Sequence, residues 1–144
     1  MSRTRIPVNI RKRIRKAALY RCGYCLSTQR YVMGLLEIEH IIPLAGGGTD
    51  EEENLWLSCT LCNRFKGIKF SHLDPITNII APLFNPRTQV WKEHFRWDEA
   101  GVRIAGITPT GRATVEAIQL NNEIALEVRF QWVGANWHPP EDSL

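Results

Sequence analysis

Two Cys-x-x-Cys pairs, "CGYC" from Cys22 to Cys25 and "CTLC" from Cys59 to Cys62, constrain this chain more than any other feature. Four cysteines in two such pairs supply the ligand number and spacing of a tetrahedral zinc site. A single pair could serve redox chemistry, but two are explained more economically by one metal. Disulfides are disfavoured if the compartment is reducing. The 33 residues between Cys25 and Cys59 must then form a unit whose ends return to one ion.

A length of 144 residues suits one compact domain, with room for one appended subdomain. The first residues, "MSRTRIPVNIRKRIRKAALYR", lack the apolar stretch of a signal peptide, and no run reaches membrane-span length. A soluble cytoplasmic protein with no membrane partner is the expectation. The net charge of +3 hides an asymmetry. Residues 1–36 hold nine Lys or Arg and no Asp or Glu, whereas residues 71–144 hold six basic and nine acidic side chains. One end is strongly cationic, which fits a polyanionic partner. A merely solvated helix face is the plainer reading.

The periodicity of "NIRKRIRKAA" predicts a helix, with Ile10, Ile14, Ala17 and Ala18 on one arc and Arg11, Lys12, Arg13, Arg15 and Lys16 on the other. "YVMGLL", "EIEHII" and "NLWLS" have the branched residues of strands. "PLAGGGTDEEE" is a loop by its proline, glycines and acids. "CTLCNRFKG" predicts a metal knuckle running into a short helix that ends near Gly67. Residues 71–90 show no clean period and carry three prolines, which predicts an extended connection. "HFRW" and "VRIAGI" flank "DEAG" as a hairpin. "TPTGRATVEAIQLN" predicts a helix capped by Thr108, and the closing "NEIALEVRFQWVG" reads as a further helix starting at Asn122, though its alternation also suits a strand.

The order Glu39-His40, then Asn54, then Asn63-x-x-Lys66 resembles the HNH endonuclease family. The matching stretch is "EIEHIIPLAGGGTDEEENLWLSCTLCNRFKG", and the upstream Cys22 and Cys25 resemble the zinc-bearing branch of that family. The tail is similar to that of a bacterial subgroup of HNH proteins. The resemblance implies an α+β fold: a ββα-metal (His-Me finger) core with structural zinc knuckles, preceded by a basic helix and followed by a hairpin plus helices. It implies one nuclease domain over 1–144, with the basic helix in 1–21, the zinc-clamped core in 22–70, the connection in 71–90 and the extension in 91–144. It also implies roles: Glu39 as a metal-binding acid, His40 as general base, Asn54 as the residue that braces the loop and orients the histidine, and Asn63 where many members have a histidine. Glu and Asn offer oxygens, which favour Mg²⁺ or Mn²⁺ for catalysis, while Cys22, Cys25, Cys59 and Cys62 hold structural Zn²⁺.

The chemistry has its own logic. A phosphodiester resists hydrolysis because its anionic oxygens repel a nucleophile and its leaving alkoxide is poor. A cation on those oxygens meets both difficulties. An imidazole, with an ordinary pKa of about 6.5, can take a proton from water near neutral pH. Adjacent residues on a flat strand point to opposite faces, so Glu39 and His40 can serve one phosphate only where the strand bends. The resemblance implies DNA cleavage, nicking or cutting, that leaves 5′-phosphate and 3′-hydroxyl ends, and Arg11, Lys12, Arg15, Lys16, Arg64 and Lys66 are the expected nucleic-acid contacts. The rivals are a nuclease for RNA and a non-catalytic zinc module that binds nucleic acid through its basic face. Asn63 as a simple helix cap, and Arg87 as a solvated loop cation, are the plainer readings of those residues.

Overall fold

The structure, a computed structural model, describes residues 6–144. Arg3 and Arg5 of the basic N-terminal segment lie outside the described residues. The backbone forms two compact units, one of Met1–Phe70 with Asn85–Arg87 and one of Ser71–Phe84 with Thr88–Leu144. In both, short helices accompany two-stranded antiparallel sheets, so the α+β class expected from the sequence is what the chain adopts.

The first unit opens with helix α1, Val8–Ala17. Ile14 is fully buried and Ile10 half-buried on one face, as the periodicity requires. Arg15 and Lys16 sit in the last turn, where cations oppose the partial negative charge of a helix C-terminus. Strand β1, Glu37–His40, pairs antiparallel with β2, Leu55–Ser58, in the register Ile38 to Leu57 and His40 to Leu55. Helix α2, Thr60–Lys66, follows β2 at once and ends at Gly67. Ile14, Ala18, Leu36, Leu55 and Leu57 form the core between α1 and the sheet.

"YVMGLL" is not a strand. The Gln29 side chain takes over its backbone groups: Nε2 donates to the carbonyls of Val32 (3.3 Å) and Gly34 (2.9 Å), and Oε1 accepts from the amide of Leu36 (2.8 Å). A strand needs a neighbouring strand to satisfy those groups, and here a side chain does so instead.

The glycine loop between β1 and β2 is closed by sterics as well as by composition. Gly47 has φ +92°, and a Cβ on Gly48 would stand 1.8 Å from the Ile42 carbonyl oxygen. Only glycine lets the chain pass that close.

The second unit corrects one expectation. Residues 71–90 are not a plain extended connection: β3, Ser71–Leu73, and β4, Ile80–Pro82, form a hairpin. Its turn is organised by buried Asp74, which accepts from the amides of Ile76 (3.1 Å) and Thr77 (3.3 Å) and pairs in two places with Arg112, at 2.8 and 2.9 Å. Three-residue strands are too short for a period of two to show in the sequence. Helix α3, Trp91–His94, leads into β5, Phe95–Asp98, which pairs with β6, Arg103–Gly106. Helix α4, Pro109–Ala117, is capped by Thr108, whose Oγ1 accepts from the Gly111 amide at 3.0 Å. The last element is helix α5, Glu123–Gly134, capped by Asn122. Among the described residues no helix is long and apolar enough to cross a membrane.

Candidate metal cluster and polar cleft

The four cysteines converge. Their Sγ atoms all lie within 4.8 Å of one another, and Cys25 and Cys59 are 3.7 Å apart. Sulfurs at the corners of a tetrahedron with metal bonds of 2.3 Å stand about 3.8 Å apart, so the cluster has the dimensions of a metal site. Each pair presents its first sulfur to a backbone amide: Tyr24 N–H donates to Cys22 Sγ and Cys62 N–H to Cys59 Sγ, both at 3.4 Å. Hydrogen bonding to Cys22 pulls the Cys25 thiol down and pushes the Cys59 and Cys62 thiols up. Four thiols this close cannot all shed their protons without a cation among them.

Beside the cluster, an open cleft of about 510 Å³ is lined by Glu37, Glu39, His40, Asp50 and Asn63, with Pro43, Leu44 and Ile68 on its apolar side. His40 stands at the end of β1, and its Nε2 is 2.7 Å from Asp50 Oδ1. Glu39 is buried, and Tyr24 of the first knuckle donates its hydroxyl to Glu39 Oε1. Lys66 Nζ lies 3.2 Å from Glu39 Oε2 and donates to the His40 carbonyl at 2.9 Å. The Lys66 ammonium is the partner of Glu39 Oε2 in a buried ion pair. Burial raises the Glu39 carboxyl above its ordinary range, and Lys66 and Tyr24 oppose that rise. Burial also holds Tyr24 protonated, with the Glu39 charge adding to the effect, which suits a donor.

Asn63 lies in the second turn of α2. It is not the helix cap, because Cys59 fills that position. Its Nδ2 donates to Glu37 Oε1 at 2.7 Å, while Thr60 holds Glu37 Oε2 at 3.1 Å. Asn54 is a staple across the loop: Nδ2 donates to the carbonyls of Ile42 (2.9 Å) and Thr49 (2.8 Å), and Oδ1 accepts from the Ile42 amide (2.9 Å). The three bonds tie both ends of the glycine loop together.

Residues 22–69 match the HNH endonuclease family model.

The match takes in both cysteine pairs, β1, the glycine loop, β2 and α2, so the HNH domain coincides with the structure just described. No curated protein and no solved structure matches the chain.

Of the residues singled out in the sequence, Glu39, His40 and Asn63 line one cleft of the HNH domain, with Asn54 behind it. The basic set divides. Lys12, Lys16 and Arg64 are exposed. Arg11 is half-buried, and Arg15 donates to the Leu36 carbonyl at 2.8 Å. Lys66 is corrected: at 2 % exposure and paired with Glu39, it is an internal strut and not a nucleic-acid contact. Arg87 is corrected as well, since it donates to the Leu55 carbonyl at 3.0 and 3.2 Å and lies over the Trp56 ring.

Glu37, Asp50 and Tyr24 were not singled out. Glu37 had a signal, because it stands two residues before Glu39 on the same strand. Asp50 has none beyond its membership of an acidic loop, and Tyr24 has none beyond its place inside the first cysteine pair.

Proposed function

We propose that the HNH domain is a metal-dependent endonuclease that hydrolyses DNA phosphodiester bonds. The observation that carries this reading is His40, partly exposed in a cleft with three carboxylates and an amide, its Nε2 engaged and its Nδ1 without a hydrogen bond among the described residues. A neutral imidazole in that setting accepts the proton of an attacking water. Glu39 and Asn63 would hold Mg²⁺ or Mn²⁺. Their donors are oxygens, and a cation there would share Glu39 Oε2 with the Lys66 ammonium. Such a cation neutralises charge on the phosphate and its leaving oxygen.

The remaining work belongs to the chain. Lys66 fixes the His40 carbonyl and Tyr24 fixes Glu39, so the end of β1 is held from two sides. Asn54 keeps the loop closed. Lys12, Lys16 and Arg64 supply exposed positive charge for the polyanion, with Arg11 and Arg15 behind them. Structural Zn²⁺ held by Cys22, Cys25, Cys59 and Cys62 would tie the first knuckle to α2. Ends of 5′-phosphate and 3′-hydroxyl type follow from the family resemblance.

The test is cleavage of supercoiled plasmid with Mg²⁺, Mn²⁺ or EDTA, and of an RNA substrate in parallel. His40→Ala lowers the rate by about 10²–10⁴-fold, the usual cost of losing a general base, and keeps its zinc. A His40→Ala protein that nicks at the wild-type rate, free of contaminating nuclease, removes the assignment. One observation favours a binding-only module: Lys66 already meets the charge of Glu39. Wild-type protein that binds DNA but leaves it intact in both metals selects that second reading.

A further inference from the structure

We infer that Asp50 is the positioning residue of His40, fixing the imidazole with its proton on Nε2 and its lone pair on Nδ1. The catalytic part of this inference rests on the endonuclease reading above; the contact itself does not. Asp50 Oδ1 is 2.7 Å from His40 Nε2, and both side chains line the cleft at about 30 % exposure. An ionised carboxylate can only accept, so the hydrogen of this bond sits on Nε2. A neutral imidazole has a single N–H, and Nδ1 is then the nitrogen that can receive a proton.

The other carboxylates of the cleft are engaged elsewhere. Glu37 is held by Asn63 and Thr60, and Glu39 by Tyr24 and Lys66. Asp50 is the acid that touches the ring. Its own position is set by the loop staple, since Asn54 grips the carbonyl of Thr49, the residue immediately before it. Asn54 therefore acts on His40 through Asp50, and this gives the bracing role expected of that asparagine a route. In the reaction, water gives one proton to Nδ1 as its oxygen bonds to phosphorus. The bond from phosphorus to the 3′-oxygen breaks, and solvent protonates the leaving oxygen. The Nε2 proton stays on the Asp50 bond throughout, so the carboxylate faces the imidazolium that forms.

The experiment uses the full chain labelled with ¹⁵N-histidine, with His40→Ala identifying the His40 ring signals. Long-range ¹H–¹⁵N spectra at a pH where the ring is neutral report which nitrogen bears the proton. Wild type shows the Nε2–H tautomer. Asp50→Ala moves toward a mixture, and its kcat for plasmid nicking falls about 10- to 100-fold, the range for losing a partner that orients a functional imidazole, with KM for DNA unchanged. Asp50→Asn, whose amide can donate as well as accept and carries no charge to face the imidazolium, also shows a tautomer mixture and a lowered kcat. An Nδ1–H tautomer in wild type overturns the inference, and so does Asp50→Ala with wild-type tautomer and kcat. Should Asp50→Ala fail to fold, the wild-type tautomer and the Asp50→Asn rate decide. A wild type with the Nε2–H tautomer and no cleavage of any substrate overturns the catalytic use and leaves the orienting contact standing.

Discussion

The HNH-bearing unit gathers its core from Ile14, Ala18, Leu36, Leu55 and Leu57 and also buries the charged pair Glu39–Lys66. The other unit buries Phe84, Trp91, Phe95, Ile104, Ile118 and Leu120, with Phe95 meeting Phe84 and Trp91 at ring distances of 5.1 Å. Its described residues hold no cluster of metal-ligating side chains. Full burial of one large aliphatic side chain contributes about 1.5–3 kcal/mol, while fixing one residue of backbone costs about 1–2 kcal/mol. Neither set of side chains offsets the ordering of some seventy residues by a wide margin, so what each unit adds to its core matters. The first unit devotes interior space to a buried acid and its lysine, and its four-cysteine cluster is where a metal crosslink would add stability. The second packs rings instead.

That contrast breaks most sharply on chelation. Structural zinc in small domains contributes about 10–16 kcal/mol of apparent binding free energy, comparable to or above the whole stability of a domain. Cys22→Ser, Cys59→Ser or a strong chelator is expected to expose the amides of the first unit to rapid exchange. The amides of β5, β6 and α4 stay protected. Hydrogen-exchange mass spectrometry reads both at once, and equal loss of protection in the two units would contradict the division of labour.

Point substitutions sharpen the comparison at a smaller scale. Lys66→Met leaves Glu39 buried without its cation, and removing one partner of a buried pair costs about 3–5 kcal/mol. Phe95→Ala opens a cavity in the ring stack and costs about 3–5 kcal/mol by a different route. Thermal melts followed by exchange assign each loss to its own unit. Added zinc does not restore either variant, because neither lesion touches the cysteines.

The smallest expected effect is in acid. His138 lies edge-on to Trp97 at 4.5 Å, and burial, helped by the Arg129 charge, pushes it down to about 4. The unfolded chain, with its histidine near 6.5, takes up the proton first. The stabilisation from neutral His138 is therefore complete above about pH 6.5 and is lost as pH falls toward about 4. The second unit melts earlier across that window, and His138→Phe flattens the dependence. A pH profile identical in that variant would show that other groups carry it.

Much of the first unit was legible along the chain. α1 shows in its 3.6-residue period, α2 in the run from the knuckle to Gly67, and the glycine loop in its composition. The helix at Glu123–Gly134 was readable from Asn122 despite an alternating pattern. What failed did so for local physical reasons. A strand was expected at 31–36, but Gln29 satisfies that backbone. An extended connection was expected at 71–90, but Asp74 and Arg112, far apart in sequence, organise a turn there. Within the site, His40 and Asn54 stood out by motif, whereas Lys66 looked like a surface cation because nothing in sequence reports burial.

The sequence alone determined the ligand chemistry: four thiols in two pairs, and an acid next to an imidazole before a glycine turn. Those are properties of residue type and short spacing, which the chain carries whether or not it is folded. Only the tertiary structure decided which groups meet. Glu37 rather than Glu39 faces the Asn63 amide, Lys66 turns inward to Glu39, and Asp50 reaches His40 across the loop. Each pairing spans ten or more residues, and what selects it is the sheet register and the closure of the loop by Asn54. Local pattern names candidates, but only packing sets the distances at which a carboxylate can accept a proton's hydrogen bond or a buried lysine can balance a charge.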